Sequence, residues 1–225
     1  MSPRYLLLIV LLTFSSCDDS STPGEFVNEP LILTGNDTYN EDQCGPDIYP
    51  CPPYGTRQYQ TLRNIPFLPA NSAAEAMAED NGVSWLSYFY LLREEGYQLL
   101  HITLTAEWCD VCEAQMNTLG AMVNQYGFLA DDPRVAFLGV VTENDSLEDA
   151  SLEVASNYSA SHNLDDLVPI TNDENLAFRQ LMTSASYPFN IFVDLENMEI
   201  IGYDSGLESE QIFSQKLDEM LAFVQ

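Results

Sequence analysis

Apolar residues concentrate in two nearly uncharged runs in the middle of the chain. Residues 97–106 (YQLLHITLTA) and 134–144 (RVAFLGVVTEN) are rich in Leu, Val, Ile and Thr, a composition typical of strands buried on both faces. Between them, apolar positions recur at intervals of three and four from Cys112 to Tyr126, which predicts an amphipathic helix ending at Gly127. The pattern predicts two central strands joined by a helix.

Further segments continue this alternation of extended and helical periodicity. The predicted helices cover residues 83–95, 146–164, 175–182 and 209–224, and the predicted strands cover 167–171, 187–194 and 198–204. Strands alternating with helices and followed by a hairpin indicate an α/β domain whose mixed sheet is covered on both faces.

The first 56 residues lack this periodicity. Residues 1–16 carry a basic residue and an apolar run too short to span a bilayer, which is typical of a secretory signal. Residues 17–56 are rich in Asp, Asn, Ser, Pro and Gly and predict a tether. We therefore expect a signal peptide over 1–16, a tether over 17–56 and a folded domain over 57–225.

The signal ends in Ser15, Ser16 and Cys17, which resembles the end of a bacterial lipoprotein signal. The resemblance implies lipid modification of Cys17, export, and a lipid anchor in the bacterial cell envelope or periplasm. An ordinary signal cut nearby and an uncleaved N-terminal anchor are the alternatives.

The charge is strongly one-sided. The chain has 35 Asp and Glu against 7 Lys and Arg, a formal net charge of −28, while 46% of its residues are hydrophobic. The hydrophobic fraction indicates a real core rather than a disordered acidic chain. The charge excludes nucleic acid and electrostatic docking on an anionic membrane. Membrane attachment would therefore depend on lipid.

Five cysteines, in an exported chain, indicate disulfides. If Cys17 carries lipid, four remain, and the two local pairings are Cys44 with Cys51 and Cys109 with Cys112. The first pair encloses several turn-forming residues, so we expect a structural disulfide there. A second redox pair or half of a metal site is the alternative.

The second pair lies where a predicted strand gives way to a predicted helix. At that position Cys109 lies over unpaired backbone N–H groups at the positive end of the helix dipole, which favours a thiolate. Cys109 is therefore the expected nucleophile. Cys112, on the core-facing stripe, would be more buried and would react second.

The segment ITLTAEWCDVCEAQM (102–116) resembles the active-site segment of thioredoxin-fold proteins. Residues 187–206 are similar to the Pro, strand, Asp, turn, strand and Gly pattern of that fold, and the insertion over 146–171 is similar to the extracytoplasmic TlpA-like and redoxin-like branch. The resemblance covers about residues 60–225. It implies a thioredoxin-like mixed sheet flanked by helices, with a helix–strand insertion and an irregular N-terminal extension.

The same resemblance implies a protein-disulfide oxidoreductase. Cys109 would attack a substrate disulfide and Cys112 would resolve the mixed disulfide. Pro188 would be a cis proline facing the cysteines, with Trp108 and Tyr187 contacting the substrate. The partners implied are protein thiols or disulfides and an unidentified redox partner, with no cofactor and no bound metal.

The chain departs from the thioredoxin pattern beside the cysteines. Thr103 stands where thioredoxin has a buried acid, so the general base is open; Glu107 is a candidate, although an exposed carboxylate at the strand end is the alternative. Glu107 and Asp110 flank Cys109 and disfavour its thiolate, which predicts a reductant or isomerase-like potential. We expect His101 to be a core residue and His162 a surface residue at a helix end.

Three other functions compete with this interpretation. A peroxiredoxin would carry Pro before its reactive Cys, whereas residues 105–108 read Thr-Ala-Glu-Trp. Cys109 and Cys112 could hold Cu(I), or join Cys44 and Cys51 around Zn. A lipid-tethered binding module would carry the same pair as an inert disulfide.

Overall fold

A computed structural model describes residues 44–173, 175–207 and 209–224. A separate two-stranded sheet pairs β1 (Pro66–Phe67) with β2 (Ser84–Trp85). The central sheet has five strands: β3 (Leu99–Ala106), β4 (Val135–Glu143), β5 (Ile170–Asn172), β6 (Phe189–Asp194) and β7 (Glu199–Ser205). Their order across the sheet is β5-β4-β3-β6-β7. Signal residues 1–16 and Cys17 lie outside the described residues.

The central strand β3 has a parallel neighbour on one side and an antiparallel neighbour on the other. It pairs in parallel with β4, which pairs in parallel with β5, and it pairs antiparallel with β6, whose hairpin partner is β7. All eight residues of β3 are buried. This arrangement confirms the predicted α/β fold with a mixed sheet.

Helices and irregular segments cover both faces of the sheet. The helices are α1 (Ser72–Glu75), α2 (Leu86–Leu91), α3 (Asp110–Tyr126), α4 (Leu152–Ser161) and α5 (Glu210–Phe223). Apolar residues of α3, α4 and α5 form one core cluster with one face of the sheet, and those of α2 and the N-terminal segment form another with the opposite face. Alternate β3 residues therefore point into different halves of the core, as Leu99 and Leu100 do.

Three predicted helices are shorter than the sequence pattern indicates. The helix predicted over 83–95 contains only α2 and a following 3₁₀ turn, Leu92–Glu95, because Ser84–Trp85 forms strand β2. Helix α4 begins at Leu152 rather than Ser146, because the Asn144 side chain accepts the N–H groups of Ser146 and Glu148 and holds a turn there. The helix predicted over 175–182 contains only one 3₁₀ turn, Arg179–Leu181.

The described part of the N-terminal extension packs on the domain. Cys44 and Cys51 form a disulfide around a loop whose Tyr49 is buried in the core, with its hydroxyl donating to the Leu62 carbonyl at 2.9 Å. The same strip of chain adds a bridge from Thr61 to Glu199 at the start of β7. Within the described ranges, no helix is long and apolar enough to cross a membrane.

Candidate redox site

The two cysteines of the Trp-Cys-x-x-Cys segment lie at the carboxyl end of the central strand. Strand β3 ends at Ala106 and α3 begins at Asp110, so Cys109 is the N-cap residue of the helix. Cys109 and Cys112 form a disulfide, and Cys109 Sγ accepts the backbone N–H of Cys112 at 3.1 Å. The N–H groups of the first helical turn therefore favour negative charge on Cys109.

The two sulfurs differ in how they meet the surface. Cys112 is fully buried and Cys109 is 7% exposed, whereas Trp108 and Val111 on either side of Cys109 are 42% and 39% exposed. Of the two cysteines, Cys109 therefore lies nearer to the surface, between two exposed apolar side chains. This is the order of accessibility that the sequence predicts for a nucleophile and a resolving residue.

Pro188 lies beside the end of β3 because of the sheet pairing. The Tyr187–Pro188 peptide bond is cis, and Phe189, the next residue, pairs with Leu104 near the end of β3. Tyr187 packs against the small cluster formed by Ala106 and the two cysteines. The structure therefore places Trp108, Tyr187, Cys109 and Cys112 together at this end of β3, with Pro188 next to Tyr187, and the roles of these residues stay predictions.

Trp108 and Tyr187 form an aromatic pair that is held by the end of β4. Their ring centroids are 6.0 Å apart with an interplanar angle of 81°, an edge-to-face contact. Trp108 Nε1 donates to Glu143 Oε2 at 2.9 Å, and the Tyr187 hydroxyl receives a hydrogen bond from Thr142 Oγ1 at 2.8 Å. Burial raises the pKa of Tyr187 above its usual value, and the hydrogen bond from Thr142 offsets only part of this shift. Sequence analysis missed both β4 residues, because only the fold brings them to the site.

A buried amide network lies one turn below Cys112. The side-chain N–H groups of Gln115 donate to Thr103 Oγ1 at 2.9 Å and to Asn190 Oδ1 at 2.7 Å, and its carbonyl accepts the backbone N–H of Leu207 at 3.2 Å. Thr103 is thus paired with a neutral amide rather than with a carboxylate. These groups position α3 against the sheet and offer no acid for proton transfer.

His101 extends this network into the core. Its Nε2 lies 2.8 Å from Asn190 Oδ1, and its ring is fully buried. Burial lowers the pKa of His101 to about 4, so the ring is neutral at neutral pH. The predicted core position is therefore the observed one. His162 follows α4 at its C-terminal end, half-buried, with Nδ1 2.8 Å from the Tyr158 carbonyl oxygen.

Arg179 pairs with the carboxylates of Asp149 and Asp173 next to the end of β4. Asp173 accepts the backbone N–H groups of Phe178 and Arg179, both at 2.9 Å, and burial raises the pKa of its carboxyl to about 6. Arg179 donates to the Thr142 carbonyl and pairs with Asp149 at 2.7 Å. The ion pair thereby fixes the strand end that carries Thr142.

Glu107 is turned toward the loop after β4. Its Oε2 accepts the backbone N–H of Asp145 at 3.1 Å, and its own N–H donates to the Glu143 carbonyl at 2.9 Å. The carboxylate is half-buried rather than fully exposed. It lies one residue from the aromatic pair, and whether it acts as a base stays a prediction.

The two cysteine pairs lie near opposite ends of the central strand. The loop closed by Cys44 and Cys51 bonds through Tyr49 to Leu62, whose N–H donates to the Met198 carbonyl just before β7, at the end of the sheet where β3 begins. Cys109 and Cys112 follow the other end of β3. This placement does not join the four sulfurs around one zinc ion. Over the parts of the chain that are described, no group of three or more His, Cys, Asp or Glu has an arrangement suited to a metal ion.

Solved structures share this fold, although no protein-family model and no curated protein matches the chain. The exposed lipoprotein thioredoxin Etrx1 of Streptococcus pneumoniae strain TIGR4 is 18% identical, with a TM-score of 0.50, over 70% of this chain and 99% of its own. Peroxidoxin BcpB of Mycobacterium tuberculosis is 11% identical, with a TM-score of 0.51, over 75% and 97%. A hypothetical protein of Sinorhizobium meliloti 1021 is 12% identical, with a TM-score of 0.55, over 75% and 87%. The chain thus has a thioredoxin-like fold.

Proposed function

We propose that this protein is an extracytoplasmic thiol-disulfide oxidoreductase that reduces disulfides in other proteins. The observation that carries the proposal is the Cys109–Cys112 disulfide at the start of α3, where Cys109 is the more exposed of the two residues and Tyr187 packs against both. Thiol-disulfide exchange requires an accessible attacking sulfur and a second sulfur within bonding distance. This pair meets both requirements.

The reaction runs from the dithiol form. The Cys109 thiolate attacks one sulfur of a substrate disulfide, forms a mixed disulfide, and releases the other substrate sulfur as a thiolate that takes up a proton. Cys112 then loses its proton and attacks Cys109 Sγ, which releases the second substrate thiol and leaves the Cys109–Cys112 disulfide. Two electrons and two protons pass to the substrate, so a separate dithiol reductant must restore the protein.

Two carboxylates beside Cys109 support reduction rather than oxidation as the direction. Glu107 and Asp110 carry negative charge on either side of Cys109 and oppose its thiolate, whereas a strong oxidant depends on a stabilised thiolate. A redox titration against glutathione tests this direction. A potential near the strong-oxidant value of about −120 mV would contradict it.

The proposed location is the bacterial cell envelope, with lipid on Cys17. The supports are the signal pattern of residues 1–17 and a solved structure of the same fold, the pneumococcal protein, which is described as an exposed lipoprotein. Cys17→Ala is expected to move the protein from the membrane fraction to the soluble envelope fraction. An unchanged distribution would contradict the lipid anchor.

Insulin-disulfide reduction with dithiothreitol tests the activity itself. We expect the wild type and the control variant Cys44→Ser/Cys51→Ser to be active and Cys109→Ser to be inactive. Cys112→Ala should trap Cys109-dependent mixed disulfides in the native envelope. Inactive wild-type protein that binds Cu(I) stoichiometrically would instead favour metal delivery, and inactive protein without metal would favour a binding module.

A further inference from the structure

We infer that Glu143 is a positioning residue that holds Trp108 and Tyr187 as the two walls of a polypeptide-binding cleft over Cys109. This inference rests on the proposed function and names a residue through which the site selects polypeptide disulfides. Glu143 ends β4, 34 residues beyond Cys109, and is half-buried beside the aromatic pair.

The side chain of Glu143 faces both rings. Oε2 accepts the indole N–H of Trp108 at 2.9 Å, and Oε1 lies 3.4 Å from the Tyr187 hydroxyl as a longer contact. The first is a charge-assisted hydrogen bond, which is stronger than a neutral one. Since Trp108 is 42% exposed, this bond together with the edge-to-face contact with Tyr187 limits the rotation of the indole.

The backbone of Glu143 fixes the chain that leads to Trp108. Its carbonyl accepts the N–H of Glu107 at 2.9 Å, and it pairs with Ala106 where the β3–β4 register shifts. One residue therefore positions both the backbone before Trp108 and the indole ring itself.

The strand end that carries Glu143 is itself anchored. Thr142 donates to the Tyr187 hydroxyl at 2.8 Å, and its carbonyl accepts a hydrogen bond from the Arg179 guanidinium, which pairs with Asp149 at 2.7 Å. The Trp108 and Tyr187 side chains are thus held in place before a ligand binds, which lowers the entropic cost of ordering them around it.

The two walls matter for large ligands and not for small ones. A polypeptide disulfide brings neighbouring backbone and side chains across Trp108 and Tyr187, whereas a small disulfide needs only the Cys109 sulfur. Loosening the walls should therefore weaken polypeptide binding without changing the sulfur chemistry.

The test compares Glu143→Ala and Glu143→Gln with the wild type and with Glu148→Gln, which removes one exposed carboxylate from the adjacent loop. The measurements are kcat and KM for insulin and for hydroxyethyl disulfide, and the glutathione equilibrium constant. In a Trp85→Phe background, acrylamide quenching of Trp108 reports its mobility, because these are the chain's two tryptophans.

We expect Glu143→Ala to raise KM for insulin about tenfold, the equivalent of one charge-assisted hydrogen bond. The small-disulfide kinetics and the glutathione equilibrium should stay within about twofold of the wild type, well under one such bond. Quenching of Trp108 should increase. Glu143→Gln, which keeps an acceptor, should recover part of both effects, and Glu148→Gln should match the wild type.

Three results would overturn the inference: an unchanged KM for insulin, equal losses with both disulfides, or the same loss in Glu148→Gln. If the wild type reduces neither disulfide, the proposed function fails. Trp108 quenching then decides the role of Glu143, and equal quenching in Glu143→Ala and the wild type rejects it.

Discussion

At the scale of single residues, His101 and Asp173 are two buried groups whose pKa values shift in opposite directions on folding. The His101 ring lies among Phe137, Phe192 and Phe213, and no hydrogen-bond partner of its Nδ1 is found in the described part of the chain. Asp173 is nearly as buried beside Arg179. Burial favours the neutral form of each, so the pKa of His101 is lowered and that of Asp173 is raised.

These shifts predict opposite slopes of stability against pH. The pKa of His101 falls from 6.5 to about 4 on folding, so between these values the unfolded chain binds more protons and the free energy of unfolding falls as the pH falls. The pKa of Asp173 rises from 3.8 to about 6, so there the folded chain binds more protons and the free energy of unfolding rises as the pH falls. The two contributions largely cancel in the wild type.

Urea unfolding of two variants at a series of pH values separates the contributions. Relative to the wild type, His101→Gln should gain about 3 kcal/mol of unfolding free energy as the pH falls from 6.5 to 4. Asp173→Asn should lose about as much between pH 6 and 4. Curves that run parallel to the wild type would show that neither group titrates as described.

Gln115 is a third residue that acts inside the core, through buried hydrogen bonds. Gln115→Leu should lower the free energy of unfolding by about 3 kcal/mol, because it leaves the buried N–H of Leu207 and the Asn190 amide without their acceptor. Gln125→Leu, on an exposed position of the same helix, should change it by less than about 0.5 kcal/mol. Equal losses in urea unfolding would contradict the network.

The residues predicted at the site can all be recognised from their neighbours in the sequence. Cys109, Cys112 and Trp108 lie in one short motif, and Pro188 precedes a strand that the pattern also predicts. Glu143 has no such context, because its contacts with Trp108 and Tyr187 depend on the pairing of β3 with β4 and with β6. Contacts between distant residues of this kind are set by tertiary structure.

At the scale of elements, the start of α4 offers a direct test of helix capping. Ser151 is the N-cap residue, and its Oγ accepts the N–H of Val154 at 3.2 Å. Ser151→Ala should therefore lower the free energy of unfolding by about 1 kcal/mol. Ser146→Ala, at the start that the sequence pattern predicts, should have little effect. The opposite ranking in thermal or urea unfolding would place the helix start at Ser146.

The sequence predicts well those elements whose apolar pattern is sustained and whose backbone has no competing hydrogen bonds from side chains. The helix over 110–126 has an unbroken apolar stripe, and β3 has no charged residue. The helix predicted over 175–182 fails because the Asp173 carboxylate takes the N–H groups of Phe178 and Arg179, and because Leu176 adopts a left-handed φ of 55°. Side chains that bond to backbone compete with helical hydrogen bonds.

At the scale of the whole molecule, Tyr49 connects the N-terminal extension to the core. Its ring meets the edge of Tyr90 at 5.6 Å between centroids, and its hydroxyl bonds to Leu62. Tyr49→Ala should lower the free energy of unfolding by about 4 kcal/mol, the usual loss for a large buried aromatic side chain.

Ile48→Ala is the matched control, because Ile48 lies in the same disulfide loop and is exposed. It should change the unfolding free energy by less than about 0.5 kcal/mol. Equal effects of the two substitutions would mean that the loop does not pack on the core in solution. The Pro- and Gly-rich composition of this loop predicts a tether, and the sequence offers no periodicity that would reveal one buried ring.

The position of the Cys44–Cys51 disulfide loop has a mechanical consequence. The chain that follows this loop joins the sheet near Glu199. Glu199 pairs with Asp194, which pairs with Leu99 at the end where β3 begins. Cys109 follows the other end of that strand. A force applied to the chain upstream of residue 44 would load the disulfide loop and the Tyr49 anchor first, and it would reach Cys109 only through the length of the central strand. The Cys109–Cys112 end of the strand is thereby shielded from tension on the N-terminal side.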